Sequence, residues 1–232
     1  MRIAILSASV MALAACNGVA DEEPIPPEEE GTVSDTQDIV TPTDFASLEL
    51  GGTVQGPLGP EIEVSLIAGD VAVGDLSSRV QCQNDGETCD PETAPEGTIY
   101  TYIYEVRPGF DGPNDEGMPT PERLIPVEQA TSFALDFPAY GFTGVAGYDI
   151  EAAGEMLAPG FNAVISCEGG RITWTVPPEA NWSTGETITF FWQSTQPPAG
   201  PEGRYRFVAD GEEATGIGPI PAEGGEMAAV CE

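Results

Sequence analysis

The hydrophobic pattern changes character at about Phe45. From there on, apolar positions recur at every second residue in short runs between Gly and Pro clusters, and almost nothing repeats with helical period. Alternation is clearest in Ile62, Val64 and Leu66 against Glu61, Glu63 and Ser65, and in Phe133, Leu135 and Phe137 against Ser132, Ala134 and Asp136. A period of two sends the two sets to opposite faces, so these strands have one buried and one wet face. Strand-forming runs span 61–67, 98–106, 131–137, 162–167, 171–176, 186–193 and 204–209. Glu168-Gly169-Gly170 joins two of them as a tight hairpin, because glycine supplies the positive φ that such turns need. Residues 149–157 are the only helix candidate, with Asp149 as its cap and Pro159-Gly160 as its stop. Seven short strands with turn signals between them predict an all-β fold with at most one short helix. The expected architecture is an antiparallel β-sandwich, immunoglobulin-like or jelly-roll-like, in a single domain over 45–232 that is large enough for a real core.

Ahead of Phe45 the composition is different. Residues 17–44 carry nine acidic side chains, four prolines and no basic group. Such a segment cannot bury enough apolar surface to fold and is expected to be a disordered tether. At ~3.1 Å per residue its 28 positions reach at most about 90 Å. Within it, only Thr36 to Val40 has the character of an edge strand. Further upstream, Met1 and Arg2 precede an apolar run from Ile3 to Ala14, the form of a secretory signal too short to span a bilayer. The run closes on Leu13-Ala14-Ala15-Cys16, which resembles the lipobox of bacterial lipoproteins. The resemblance covers residues 1–16 and implies that 1–15 are a signal peptide removed on export. It further implies that Cys16 becomes the mature N-terminus and carries acyl chains on its sulfur and amino group, more than one chain being needed for stable anchoring. Asn17, where Asp would signal inner-membrane retention in enteric bacteria, favours the outer membrane.

Charge sharpens this picture. Beyond residue 15 there are six arginines against 39 acidic side chains, a net charge of −33, and the chain has neither lysine nor histidine. That field repels phosphate backbones and anionic head groups, which excludes nucleic-acid binding and electrostatic membrane docking. The acyl chains are then the link to the membrane. The acidity itself is either a solvated surface or a reservoir for divalent cations. Without His or Lys, Ser-His, Cys-His, Ser-Lys and Schiff-base chemistries are all excluded. The four remaining cysteines read as two disulfides in an oxidising compartment. Cys82–Cys89 is the favoured pair, because the turn-rich loop between them brings them together, and it leaves Cys167–Cys231. What enzymology remains is a carboxylate pair of the glycosidase kind, with no means of choosing among so many acidic residues.

Two constellations bear on ligands. Asp111, Asn114, Asp115 and Glu116 set four oxygen-bearing side chains in a Gly/Pro loop, either a plain surface turn or part of a calcium site, although the EF-hand pattern is absent. Tyr100, Tyr102 and Tyr104 alternate along one strand, so they form either core filling or an exposed platform for sugar rings. Trp174 and Trp192 alternate with aliphatic residues and read as core, whereas Trp182 lies in a loop and is the better ligand candidate. The expected function is a lipid-anchored cell-envelope protein, a non-enzymatic binding or structural module with no cofactor besides calcium and with an envelope glycan or protein as partner. The alternatives are a carbohydrate-binding module and a carboxylate-dependent glycoside hydrolase.

Overall fold

A computed structural model describes residues 38–59, 61–83, 86, 88–111, 123–157 and 160–231. The strands are β1 (Asp38–Val40), β2 (Thr43–Asp44), β3 (Thr53–Val54), β4 (Ile62–Ala68), β5 (Val71–Cys82), β6 (Thr88–Cys89), β7 (Tyr100–Pro108) and β8 (Phe110–Asp111). They continue with β9 (Arg123–Leu124), β10 (Ala130–Leu135), β11 (Phe142–Tyr148), β12 (Val164–Glu168), β13 (Arg171–Thr175), β14 (Ile188–Ser194), β15 (Pro198–Ala209) and β16 (Glu212–Pro221). The helix α1 (Ile150–Met156) starts where expected, with the Asp149 carboxylate accepting a hydrogen bond from the Ala152 N–H at 2.9 Å. The fold is therefore all-β with one short helix.

The strands are not divided into two separate sheets. Fourteen of them share one curled sheet whose main path runs β1-β12-β13-β10-β15-β16-β4-β5-β7-β14-β11-β2, with β3 paired to β5 and β6 to β3, and with β8 paired to β9 on its own. The path stays unbroken between its two halves because Thr215 of β16 pairs with Ile67 of β4. It is also mixed, since β2 runs parallel to β11 and β3 parallel to β6. The curl brings the two halves into contact through their aromatic side chains. Tyr104 of β7 lies 5.4 Å from Phe133 of β10 and 4.9 Å from Tyr205 of β15, and Phe133 lies 5.6 Å from Phe190 of β14, centroid to centroid.

The two ends of this path, β1 and β2, are consecutive in the chain with only Thr41 and Pro42 between them. Residues 38–44 therefore stitch one end of the sheet to the other, and β1 touches β11 as well as its partner β12. The expected domain boundary at Phe45 moves upstream accordingly, because Asp38 to Asp44 belong to the sheet. Thr43 approaches so closely that a Cβ on Gly147 of β11 would collide with the Thr43 carbonyl, so only glycine fits there. A 3₁₀ turn at Ala229–Cys231 packs against β1, β11 and β12 at the same seam.

Three long strands, β5, β11 and β16, fall outside the predicted runs, as do the two-residue strands β2, β3, β6, β8 and β9. In β16 the inward positions include Gly216 and Gly218, whose missing side chains leave room for Leu66 and for the Tyr205 ring. In β5 the inward set contains Gly74 and Ser78 among Leu76, Val80 and Cys82. Small or polar inward residues erase the apolar alternation although the strand is regular, because the partner strands supply the bulk that fills the core.

The outer faces of the two halves differ. On β7 and β14 the outward Ile103 and Phe191 are fully buried, and the turn after β2 places Phe45 on Phe191 at 5.6 Å. On β12, β13, β10, β15 and β16 outward side chains such as Val164, Thr175, Arg171, Arg204 and Ile217 are exposed, although Ser166 and Ala134 on the same face are buried.

Candidate functional site

The tyrosine row is core. Tyr100 is 4 % exposed, and Tyr102 and Tyr104 are 0 % exposed. The hydroxyls of Tyr102 and Tyr104 are hydrogen-bonded, as a buried phenol requires. The Tyr102 hydroxyl donates to the Gln196 carbonyl at 3.2 Å, and the Tyr104 oxygen accepts from the Trp192 indole N–H at 2.8 Å. The Tyr104 and Tyr205 hydroxyls are 3.1 Å apart, and Tyr205 donates onward to the Pro219 carbonyl. Tyr102 also stacks on Trp192 at 4.8 Å. Trp182 lies in a loop as predicted but is fully buried, its N–H donating to the Glu186 carbonyl at 2.7 Å and its rings meeting Phe190 and Phe207 edge-on. The platform reading of Tyr100, Tyr102, Tyr104 and Trp182 is thereby overturned, because a sheet curled onto itself needs large rings to fill its interior.

Burial raises the ionisation of Tyr102, Tyr104 and Tyr205 well above the ordinary phenol range, since a phenolate there would lose its hydration. The unfolded chain titrates its tyrosines near ~10. A raised folded-state pKa means full stability below that pH and a loss as pH rises beyond it, because only the unfolded state releases the protons. Stability is thus expected to fall steeply above about pH 10. Phenolate absorbance should show these three tyrosines ionising together with unfolding, and their free titration in a folded protein would contradict their burial.

Of the proposed calcium loop, Asp111 alone lies among the described residues, and Asn114, Asp115 and Glu116 lie outside them. Asp111 is buried and accepts a hydrogen bond from the Ser65 hydroxyl at 3.4 Å. Among the described residues there is no cluster of three or more carboxylate or cysteine side chains suited to a metal.

Both expected disulfides have bonded partners, with Cα separations of 6.1 Å for Cys82–Cys89 and 5.0 Å for Cys167–Cys231. The first closes a short loop beside β5. The second ties the C-terminal turn to β12 at the seam.

The uncovered outer face carries the most distinctive surface. Reading across the strands by register, one row is Ile39, Ser166, Thr173, Ala134, Arg206, Thr215 and Ile67. A second is Val164, Thr175, Ser132, Val208 and Glu213. Continuing the register past the last pairs of β10 gives a third: Glu168, Arg171, Asp136, Arg204 and Ile217, with the Asp136 N–H bonded to the Arg204 carbonyl. Within these three rows three acidic and three basic side chains balance, with Glu202 exposed on β15 just beyond Arg204, in a chain whose net charge is −32 with only seven basic residues. Arg206 reaches Glu213 at 3.7 Å, whereas Arg171 and Arg204 have no ion-pair partner among the described residues. Sequence reasoning found the strands but not this gathering of arginines, which follows from strand order alone. No family model, curated protein or solved structure matches the chain.

Proposed function

We propose that the chain is an exported protein held to a bacterial membrane, the outer membrane by the residue after the anchor, through acyl chains on Cys16. Its folded domain serves as a non-enzymatic binding or structural module of the cell envelope. The spacing Leu13-Ala14-Ala15-Cys16 after an apolar run carries this reading. Two disulfides suit an oxidising compartment. The acidic field leaves acyl chains as the physical route to a membrane. The absence of His and Lys removes the common nucleophilic chemistries. With the tyrosine row in the core, the outer sheet face on which the arginines gather is the surface that supports a protein partner in preference to a stacked glycan.

Expression of the full chain in a bacterial host that processes lipoproteins provides the test. The native chain is expected in the membrane fraction. Cys16→Ser is expected in the soluble extracytoplasmic fraction with both disulfides formed. Membrane retention of the variant, or a soluble native chain, rules the anchor out.

A further inference from the structure

We infer that the bare outer face of β12, β13, β10 and β15 is a self-association surface, on which a second copy of this chain docks face to face about a two-fold axis running along the strands between β13 and β10.

The argument begins with repulsion. Two bodies that each carry a large negative charge approach one another most easily where the local charge is small, and the three rows of this face balance three acidic against three basic side chains while the chain as a whole is strongly acidic. Its charges are also ordered. Along the row Glu168, Arg171, Asp136, Arg204 the sign alternates from strand to strand. A two-fold axis parallel to the strands keeps height along the strand and reverses strand order across the axis. It sets Glu168 against Arg204 of the second copy and Arg171 against Asp136, so all four contacts join opposite charges, and neither Arg171 nor Arg204 has an ion-pair partner among the described residues. The same operation places Val164 against Val208, Thr175 against Ser132, Thr173 against Ala134 and Ile39 against Thr215. An axis along the row itself would instead oppose each charge to its own copy.

The middle of the face suits this contact. Ala134 and Ser166 are buried, and Thr173 and Ser132 are short, so no long side chain stands up from the middle of β13 and β10, with exposed Val164 and Ile39 towards one margin. Sheets pack face to face with nearly aligned strands, which is what this axis produces. Six strands at about 4.8 Å and three rows at about 6.8 Å cover roughly 590 Å² per copy. About 1,200 Å² in total lies at the boundary between weak, reversible association and the smallest stable interfaces. The inference deepens the binding reading above by naming the partner, and it holds whether or not Cys16 is acylated.

The lack of lysine offers a direct test on the full chain in detergent. Arg204→Lys introduces the sole side-chain amine. A zero-length carbodiimide coupling of amine to carboxylate is then expected to yield a covalent dimer whose joined peptides link position 204 to Glu168. Within one chain those positions are three strands apart, about 14 Å, too far for a zero-length bond. Adding Glu168→Gln should reduce the dimer at least tenfold while leaving any link from position 204 to the neighbouring Asp136 of the same chain. Arg204→Lys chains that remain monomeric, or dimers joined through carboxylates elsewhere, overturn the proposal. Since the anchor is read by fractionation of Cys16→Ser, a failure here is distinct from a failure there.

Discussion

Replacing Cys167 and Cys231 together by serine is expected to lower the unfolding free energy by about 4 kcal/mol, the chain-entropy value for a loop of this size. The two cysteines are 64 residues apart in sequence, and their bond fastens the Ala229–Cys231 turn over the seam where β1 and β11 meet. Unfolding of the reduced-loop variant by heat should therefore begin roughly 10 °C lower, given the steepness usual for a domain of this length. The Cys82–Cys89 pair closes a loop of separation 7, so its removal should cost only about 2.5 kcal/mol. Denaturant unfolding of the two double-serine variants checks the order. An equal loss from both would show that the seam does not depend on its longer tie.

Phe133→Ala is expected to cost 3–5 kcal/mol, on the order found for aromatic truncation in a packed core. Phe133 is 0 % exposed and sits at the centre of the ring cluster, with Tyr104, Trp174, Phe190 and Tyr205 all within 5.9 Å of its centroid. Those four rings come from β7, β13, β14 and β15, so the cavity would open between the two halves of the curled sheet. Ser132→Ala, on the other face of the same strand, should change stability by no more than about 0.5 kcal/mol. Urea unfolding of the pair decides the matter, since comparable losses would mean that the alternation along β10 does not sort residues into core and surface.

How much was legible depended on whether the inward side chain was large. The runs around Ile62–Leu66, Tyr100–Val106, Phe133–Leu135 and Ile188–Trp192 carry their own bulk and were read as strands, each present within two or three residues. The cap on α1 was legible because Asp149 bonds to an amide three residues away, a contact local in sequence. In β16 the bulk comes from Leu66 and Tyr205, more than ten residues away along the chain, so Gly216 and Gly218 read as breaks. A signal did exist there in Asp210-Gly211, whose two positive φ values make the hairpin turn between β15 and β16. Trp182 shows the opposite error, since its loop position suggested exposure although its ring closes the core against Phe190 and Phe207.

By itself the sequence determined what depends on residue type and short spacing: an all-β composition, a capped helix, two disulfides, a strongly acidic surface without lysine or histidine, and the expectation of an acylated Cys16. The tertiary structure decided what depends on which strands become neighbours. It joined fourteen strands in one curled sheet stitched by residues 38–44, placed the tyrosine row inside, and gathered Arg171, Arg204 and Arg206 onto one face. The reason is that alternation records only which way a side chain points, while strand order, set by long-range packing and loop closure, determines what it meets.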